Sequence, residues 1–208
     1  LAVSSTSAVA ILQVNVSASA SSCHTSMEPC TLEASEVATI SVPAAGGVTD
    51  VQFVSGLDIV MALAGNDGEV YVADANATVA SLVISQNASI HAMAVEETQQ
   101  YDITEEAATV QVVRILLASG AHAELWRLHF EVYNESQEGG NFTESVRLVG
   151  GANGTERVLM EAILSTGSSA DVLSVAFGDT YLLTGSADGT ATLWSRGGFA
   201  NAPVWVLR

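Results

Sequence analysis

Residues 171–195 read DVLSVAFGDTYLLTGSADGTATLWS, and this stretch decides the fold class. The run 172–177 is apolar, short and bounded by Gly178-Asp179, as a buried strand is. A second run, 181–185, leads into Asp188-Gly189, and a third follows over 190–194. Asp-Gly between two apolar, β-rich runs is a strong hairpin signal, because glycine takes positive φ without steric cost. After a glycine-rich loop, 203–207 supplies a fourth strand. The unit is therefore an up-and-down sheet of four antiparallel strands, and the expected class is all-β.

The same plan recurs upstream. Strands are expected at 48–53 and 59–65, then a turn at Asp67-Gly68, then strands at 69–74 and 79–85. Asp67 and Asp188 thus occupy equivalent turns. A third copy opens at 90–95 and carries an acidic insertion at 96–107. Its hairpin, 110–120 and 124–130, turns at Ala121-His122. A long polar loop over 134–156 leads to an outer strand at 158–164. The N-terminal piece is incomplete: 1–5, 8–14 and 37–42 match second, third and fourth strands. The repeats divide the chain, one domain of residues 1–208, at about 1–43, 47–85, 88–165 and 170–208.

In VLSVAF and LLTGSADGTATLW, and in the equivalent VTDVQF and LAGNDGEVYVAD, the chain resembles the WD-repeat β-propellers. In LWRL, Trp126 takes much the same place as Trp194. The resemblance implies blades of four antiparallel strands running outward from a central channel. It also implies that Ser186, Asp188 and Trp194 belong to a hydrogen-bonded group bracing the blade. Asp67, Gly68, Gly189 and Trp126 would be structural turn and brace residues of the same kind. The Gly-His pair that usually opens such a repeat is absent before Asp171, so the network is expected to be partial. Rings of this family are commonly seven-bladed, so four blades imply part of a larger ring, a complete four-bladed ring being the other reading.

Composition limits the function. The net charge of −17 combines 23 acidic residues with six Arg and no Lys. Such a surface repels phosphate backbones and anionic membranes, which excludes nucleic-acid binding. The most apolar stretch, 110–118, carries Arg114 and is far short of the ~20 residues of a membrane span. Leu1 is no initiator Met and no basic signal region follows it, so the chain reads as a processed product or a segment of something longer.

The asparagines carry the compartment signal. Six of eight lie in Asn-x-Ser/Thr without Pro: Asn15, Asn76, Asn87, Asn134, Asn141 and Asn153. Chance predicts about one or two, so N-glycosylation and an extracellular or cell-surface location are expected. All six fall in expected loops or strand ends. Five lie between third and fourth strands, and Asn87 lies between blades. Cys23 and Cys30, in CHTSMEPC, would close a small disulfide loop in that setting. A metal site using Cys23, His24 and Cys30 is the sharper alternative, but three ligands without a second cluster make a poor zinc site.

No catalytic constellation is visible. The four His lack metal-ligand spacing, no GxSxG or P-loop occurs, and Gly150-Gly151 with Gly154 lacks a strand-to-helix setting. Glu96, Glu97, Asp102, Glu105 and Glu106 form one dense acidic loop without the EF-hand spacing. No metal, and no cofactor beyond N-linked glycans, is expected. The expected function is a non-catalytic assembly or recognition scaffold whose partners are other protein subunits, copies of itself among them. Two other readings are an intracellular scaffold of a ciliary or trafficking assembly, and a segment of a propeller enzyme with its catalytic residues elsewhere.

Overall fold

The computed structural model describes residues 2–4, 8–16, 32–54, 56–57, 59–74, 78–103, 108–136, 142–148, 158–196 and 203–208. Among them every element but one 3-10 turn is a β-strand, and every named pairing is antiparallel. The strands form four sheets in chain order. The first holds β1 (Ala2–Ser4), β2 (Ala8–Val16) and β3 (Leu32–Ser41). The second holds β4 (Asp50–Val54), β5 (Ile59–Ala64), β6 (Glu69–Asp74) and β7 (Ser81–Ser85). The third is built from β8 (Ile90–Ile103), β9 (Ala108–Ser119), β10 (His122–Ser136), β11 (Phe142–Leu148) and β12 (Val158–Leu164). The fourth holds β13 (Val172–Phe177), β14 (Tyr181–Ser186), β15 (Ala191–Ser195) and β16 (Pro203–Leu207).

Within each sheet the strands lie side by side in sequence order, apart from a fork in the third. The leading strands are neighbours in turn: β1 packs beside β4, β4 beside β8, and β8 beside β13. Meandering sheets stacked with their leading strands together are the blades of a β-propeller.

Among the described residues three apolar cores hold the stack, one between each consecutive pair of sheets. Val9 and Ile40 meet Tyr71 and Ala73 between the first and second. Ile59, Val70 and Val72 meet Val113, Ile115 and Leu117 between the second and third. Leu116 and Ala118 meet Val172, Leu182 and Trp194 between the third and fourth. The period-2 geometry of a strand explains the division, because odd and even residues of β9 point to opposite faces. With a sheet on either side, both faces of β9 must be apolar. The result is the unbroken run Ile115-Leu116-Leu117-Ala118, wholly buried.

The third sheet departs most from expectation. The acidic insertion is largely strand: β8 runs to Ile103, with Glu96, Glu97 and Asp102 opposite Arg114, Val113 and Thr109. Charge does not bar a strand whose polar side chains find partners, and Glu96 is held by Arg196. Glu105 and Glu106 lie outside the described residues.

The polar stretch expected as a loop over 134–156 contains β11. It pairs with the far half of β10 from Phe130 to Ser136, while β12 pairs with the near half from Ala123 to Leu128. This sheet therefore has five strands instead of four. Asn134 consequently sits on β10, opposite Glu144, and Asn15 sits on β2, opposite Glu33. Both strands run further than charge and polarity suggested, because each extension finds a full antiparallel partner.

Candidate interaction face

The hairpin turns between the second and third strands of the second, third and fourth sheets share one physical role. Each grips the loop that leads into its own sheet, and two also bind the loop beyond. In the second sheet the Asp67 carboxylate accepts the Gly46 N–H at 2.6 Å, and the Gly65 N–H donates to Thr49 Oγ1 at 3.1 Å. Gly68 has φ of 69°, and its carbonyl accepts the Gln86 N–H at 2.9 Å. A Cβ on Gly68 would lie 2.5 Å from the Ala88 carbonyl oxygen and 2.6 Å from that of Gln86. Only glycine permits this turn to press on that loop.

The third sheet repeats the arrangement with different chemistry. Gln86 donates through Nε2 to the buried Glu124 carboxylate and accepts the Ser119 hydroxyl at 2.8 Å. Glu124 also accepts Trp126 Nε1 at 2.9 Å and pairs with His122 Nε2 at 2.9 Å. The Gly120 carbonyl takes the Val172 N–H at 2.7 Å, which reaches the fourth sheet.

There the Asp188 carboxylate accepts the Ser168 hydroxyl at 2.9 Å, the Thr190 N–H at 2.9 Å and the Thr190 hydroxyl at 2.6 Å. These donors, the Thr190 hydroxyl foremost, hold its pKa down at about 2. Ser186 Oγ accepts the Asp188 N–H at 3.4 Å. Turn and loop alternate along one side of the stack, from residue 46 to residue 190, and make a hydrogen-bonded belt.

Trp194 lies beneath this belt, not in it. Its indole N–H donates to Thr184 Oγ1 at 3.0 Å inside the core, and both residues are buried. Ser186 and Asp188 thus serve the turn, while Trp194 is joined to Thr184. Thr184, Gln86 and Glu124 are brace residues that the motif comparison missed. A buried polar group must find a partner, so a hydroxyl two residues before Ser186 on a buried strand was the available signal. Trp126 is likewise tied to Glu124 on its own strand.

A second polar cluster lies between the third and fourth sheets. Arg196 holds Glu96, donates to the Gly178 carbonyl at 2.7 Å and sits 5.7 Å above the Phe177 ring. Glu161 lies between Arg114, 2.9 Å from its Nε, and Arg127. His129 is half-buried, and burial followed by the nearby Arg127 charge lowers its pKa. His91 lies 3.6 Å from Asp171.

Asn87, in the belt loop between the second and third sheets, is exposed. Asn76, Asn141 and Asn153 lie outside the described residues, as do Cys23, His24 and Cys30. Among the described residues no three His, Cys, Asp or Glu side chains gather as a metal site would require. No described helix is long and apolar enough to cross a membrane.

No protein-family model matches the chain, and neither does any curated protein. Among solved structures the chain is similar to the WD40 β-propeller domain of Doa1, at 12% identity and a TM-score of 0.40. The likeness covers 99% of this chain and 64% of that one, so the chain spans about two thirds of that domain's length.

Proposed function

We propose that the chain is a non-catalytic protein scaffold: a run of propeller blades from a larger ring, N-glycosylated at an extracellular or cell surface. The observation that carries the scaffold reading is the belt. Its polar groups are spent on holding turns to loops, with Asp67, Glu124 and Asp188 each committed to protein donors. A rigid rim of this kind presents loops in a constant geometry, which suits docking of protein partners. Catalysis, by contrast, needs groups aimed at a vacant reacting centre.

The glycosylation reading is supported by six sequons among eight asparagines, one of them at the exposed Asn87. In this reading Cys23 and Cys30 are joined in a disulfide, no metal or other cofactor is needed, and partners are proteins. Acidic blades discourage nucleic acid and anionic lipid from competing for the same surfaces.

The test is a glycosidase digestion of natively purified protein, read by intact mass. Removal of N-glycans should lower the mass by about 1–2 kDa per occupied site, since these groups are bulky. An unchanged mass would refute the secreted reading and leave the intracellular scaffold.

A further inference from the structure

Two arginines of the third sheet face each other on neighbouring strands. Arg114 on β9 lies directly opposite Arg127 on β10 in the antiparallel register. Like charges so placed repel and destabilise a sheet. The pairing uses two of the chain's six Arg, against 23 acidic residues. Both side chains lie on the face towards the fourth sheet, because Leu116, Ala118, Ala123 and Leu125 of the same parity do. The row is roughly 17 Å along the strands from the belt, at about 3.4 Å per residue.

The nearby carboxylates do not neutralise the pair. Glu96 stands opposite Arg114 on β8, yet Arg196 of the fourth sheet takes its carboxylate, through Nη1 at 2.9 Å and through Nη2. Glu161 reaches the pair from the bulge of β12, where the register skips it. Arg127 Nη2 donates to Glu161 Oε1. Arg114 Nε stands 2.9 Å from Glu161 Oε2 without the alignment of a hydrogen bond, and Arg127 Nε has no acceptor. Among the described residues nothing else engages either guanidinium, so most of their N–H donors are uncommitted. Arg114, Arg127 and Arg196 outnumber Glu96 and Glu161, which leaves one positive charge in excess. His129, next along this face, adds none near neutral pH, since burial lowers its pKa.

The pair is also reachable. Arg196 follows the end of β15, so the row lies at the margin of the fourth sheet, while β8, β9 and β10 run on past it. The Arg114 side chain is 27% exposed and that of Arg127 36%, whereas the carboxylate they share is 13% exposed.

We propose that Arg114 and Arg127 form a receptor for a single carboxylate, an Asp or Glu side chain that a protein partner presents at the open end of the cleft between the third and fourth sheets. One excess positive charge suits a monoanion, whereas the chain's −17 repels polyphosphates and anionic surfaces. The parallel N–H groups of a guanidinium match the two oxygens of a carboxylate. Leu159, exposed and opposite Arg127, offers an apolar shoulder for the stem of the incoming side chain. The proposal gives the scaffold reading a partner chemistry and rests on it for the partner being a protein.

The experiment is a titration of the isotope-labelled chain with acetyl-glutamate amide at constant ionic strength, read by NMR on the arginine Nε–Hε signals. Those of Arg114 and Arg127 should shift saturably with Kd of about 1–10 mM, in the range expected of one small anion. Acetyl-glutamine amide, which lacks the charge, should not move them. Arg127→Gln should raise Kd at least about fivefold, by removing one of the two forks. Glu161→Gln should lower it about three- to tenfold, because the probe no longer competes with a resident carboxylate. Arg208→Gln, at an exposed position away from the site, should leave Kd unchanged. Far-UV circular dichroism verifies that each variant is folded. No saturable shift by about 50 mM overturns the proposal and leaves the pair a structural brace. Inorganic phosphate binding more tightly than the carboxylate overturns it too, as does a folded Glu161→Gln variant with Kd unchanged or raised. The glycosidase digestion reports on the compartment, and neither of its outcomes alters this Kd.

Discussion

Thr184→Val probes the hydrogen bond between Thr184 and Trp194 with almost no change of shape. Valine matches threonine in volume, so the substitution leaves the core filled and removes only the hydroxyl acceptor. The indole N–H, 3.0 Å from that hydroxyl in a residue 2% exposed, then has no water to turn to. A buried donor stripped of its partner costs about 1–3 kcal/mol, more than the ~1 kcal/mol a typical hydrogen bond contributes. At about 2–4 °C per kcal/mol for a chain of this length, Tm should fall by roughly 2–12 °C. Trp194→Phe removes the donor as well but shrinks the side chain, and so carries a cavity cost of its own. The informative quantity is the coupling in the double variant, expected at about 1 kcal/mol or more because the two groups touch. Urea denaturation followed by far-UV circular dichroism measures all four proteins without relying on Trp194 as the probe. Additivity within about 0.5 kcal/mol would refute the reasoning, since it would mean the pair does not act as a unit.

Two further measurements address the belt. Gly68→Ala should destabilise by about 2–4 kcal/mol, because a Cβ there meets two carbonyl oxygens at positive φ; Gly189→Ala, with φ of 82° and open space, should cost only about 1–2. Equal losses in urea titrations of the two variants would show that the close approach at Gly68 is unimportant. The Asp188 carboxyl should titrate at about 2 by NMR, against an ordinary 3.8, and move upward in Thr190→Val. Its folded pKa is depressed, so its contribution to stability is complete above about pH 4 and is lost as pH falls toward 2.

Much of the strand layout was legible because it followed local chemistry. The runs 69–74, 158–164, 172–177 and 203–207 coincide with β6, β12, β13 and β16. Apolar patterning between turn residues is a local property, and those strands obey it. The extensions of β8 and β10 and the whole of β11 were hidden, since FTESVRL and VEETQQYDI carry charge at positions that look like loop. Their strand character comes from pairing with a neighbour, which single-segment patterning does not report. The belt was half legible for a similar reason. Asp67 and Asp188 stand out beside their glycines, but the Gln86–Glu124 bond joins residues 38 apart by a contact that no motif marks. The resemblance grouped Trp194 with Ser186 and Asp188, and no motif marked the bond its indole makes to Thr184.

The doubly buried run in β9 also bears on how that strand finds its alignment. Where one face is wet, alternation tells a strand which way to lie, and a slip by one residue is punished at every position. Ile115-Leu116-Leu117-Ala118 offers no such signal; displaced by one, it would still present grease to both neighbours. The information must therefore come from the polar residues at its margins. A one-residue slip would turn Arg114 away from Glu161 and into the core that Val113 and Ile115 occupy, and would pull Ser119 off Gln86. A guanidinium without its carboxylate in that core costs several kcal/mol. Errors of alignment in this doubly buried strand are thus corrected by two of its few polar residues.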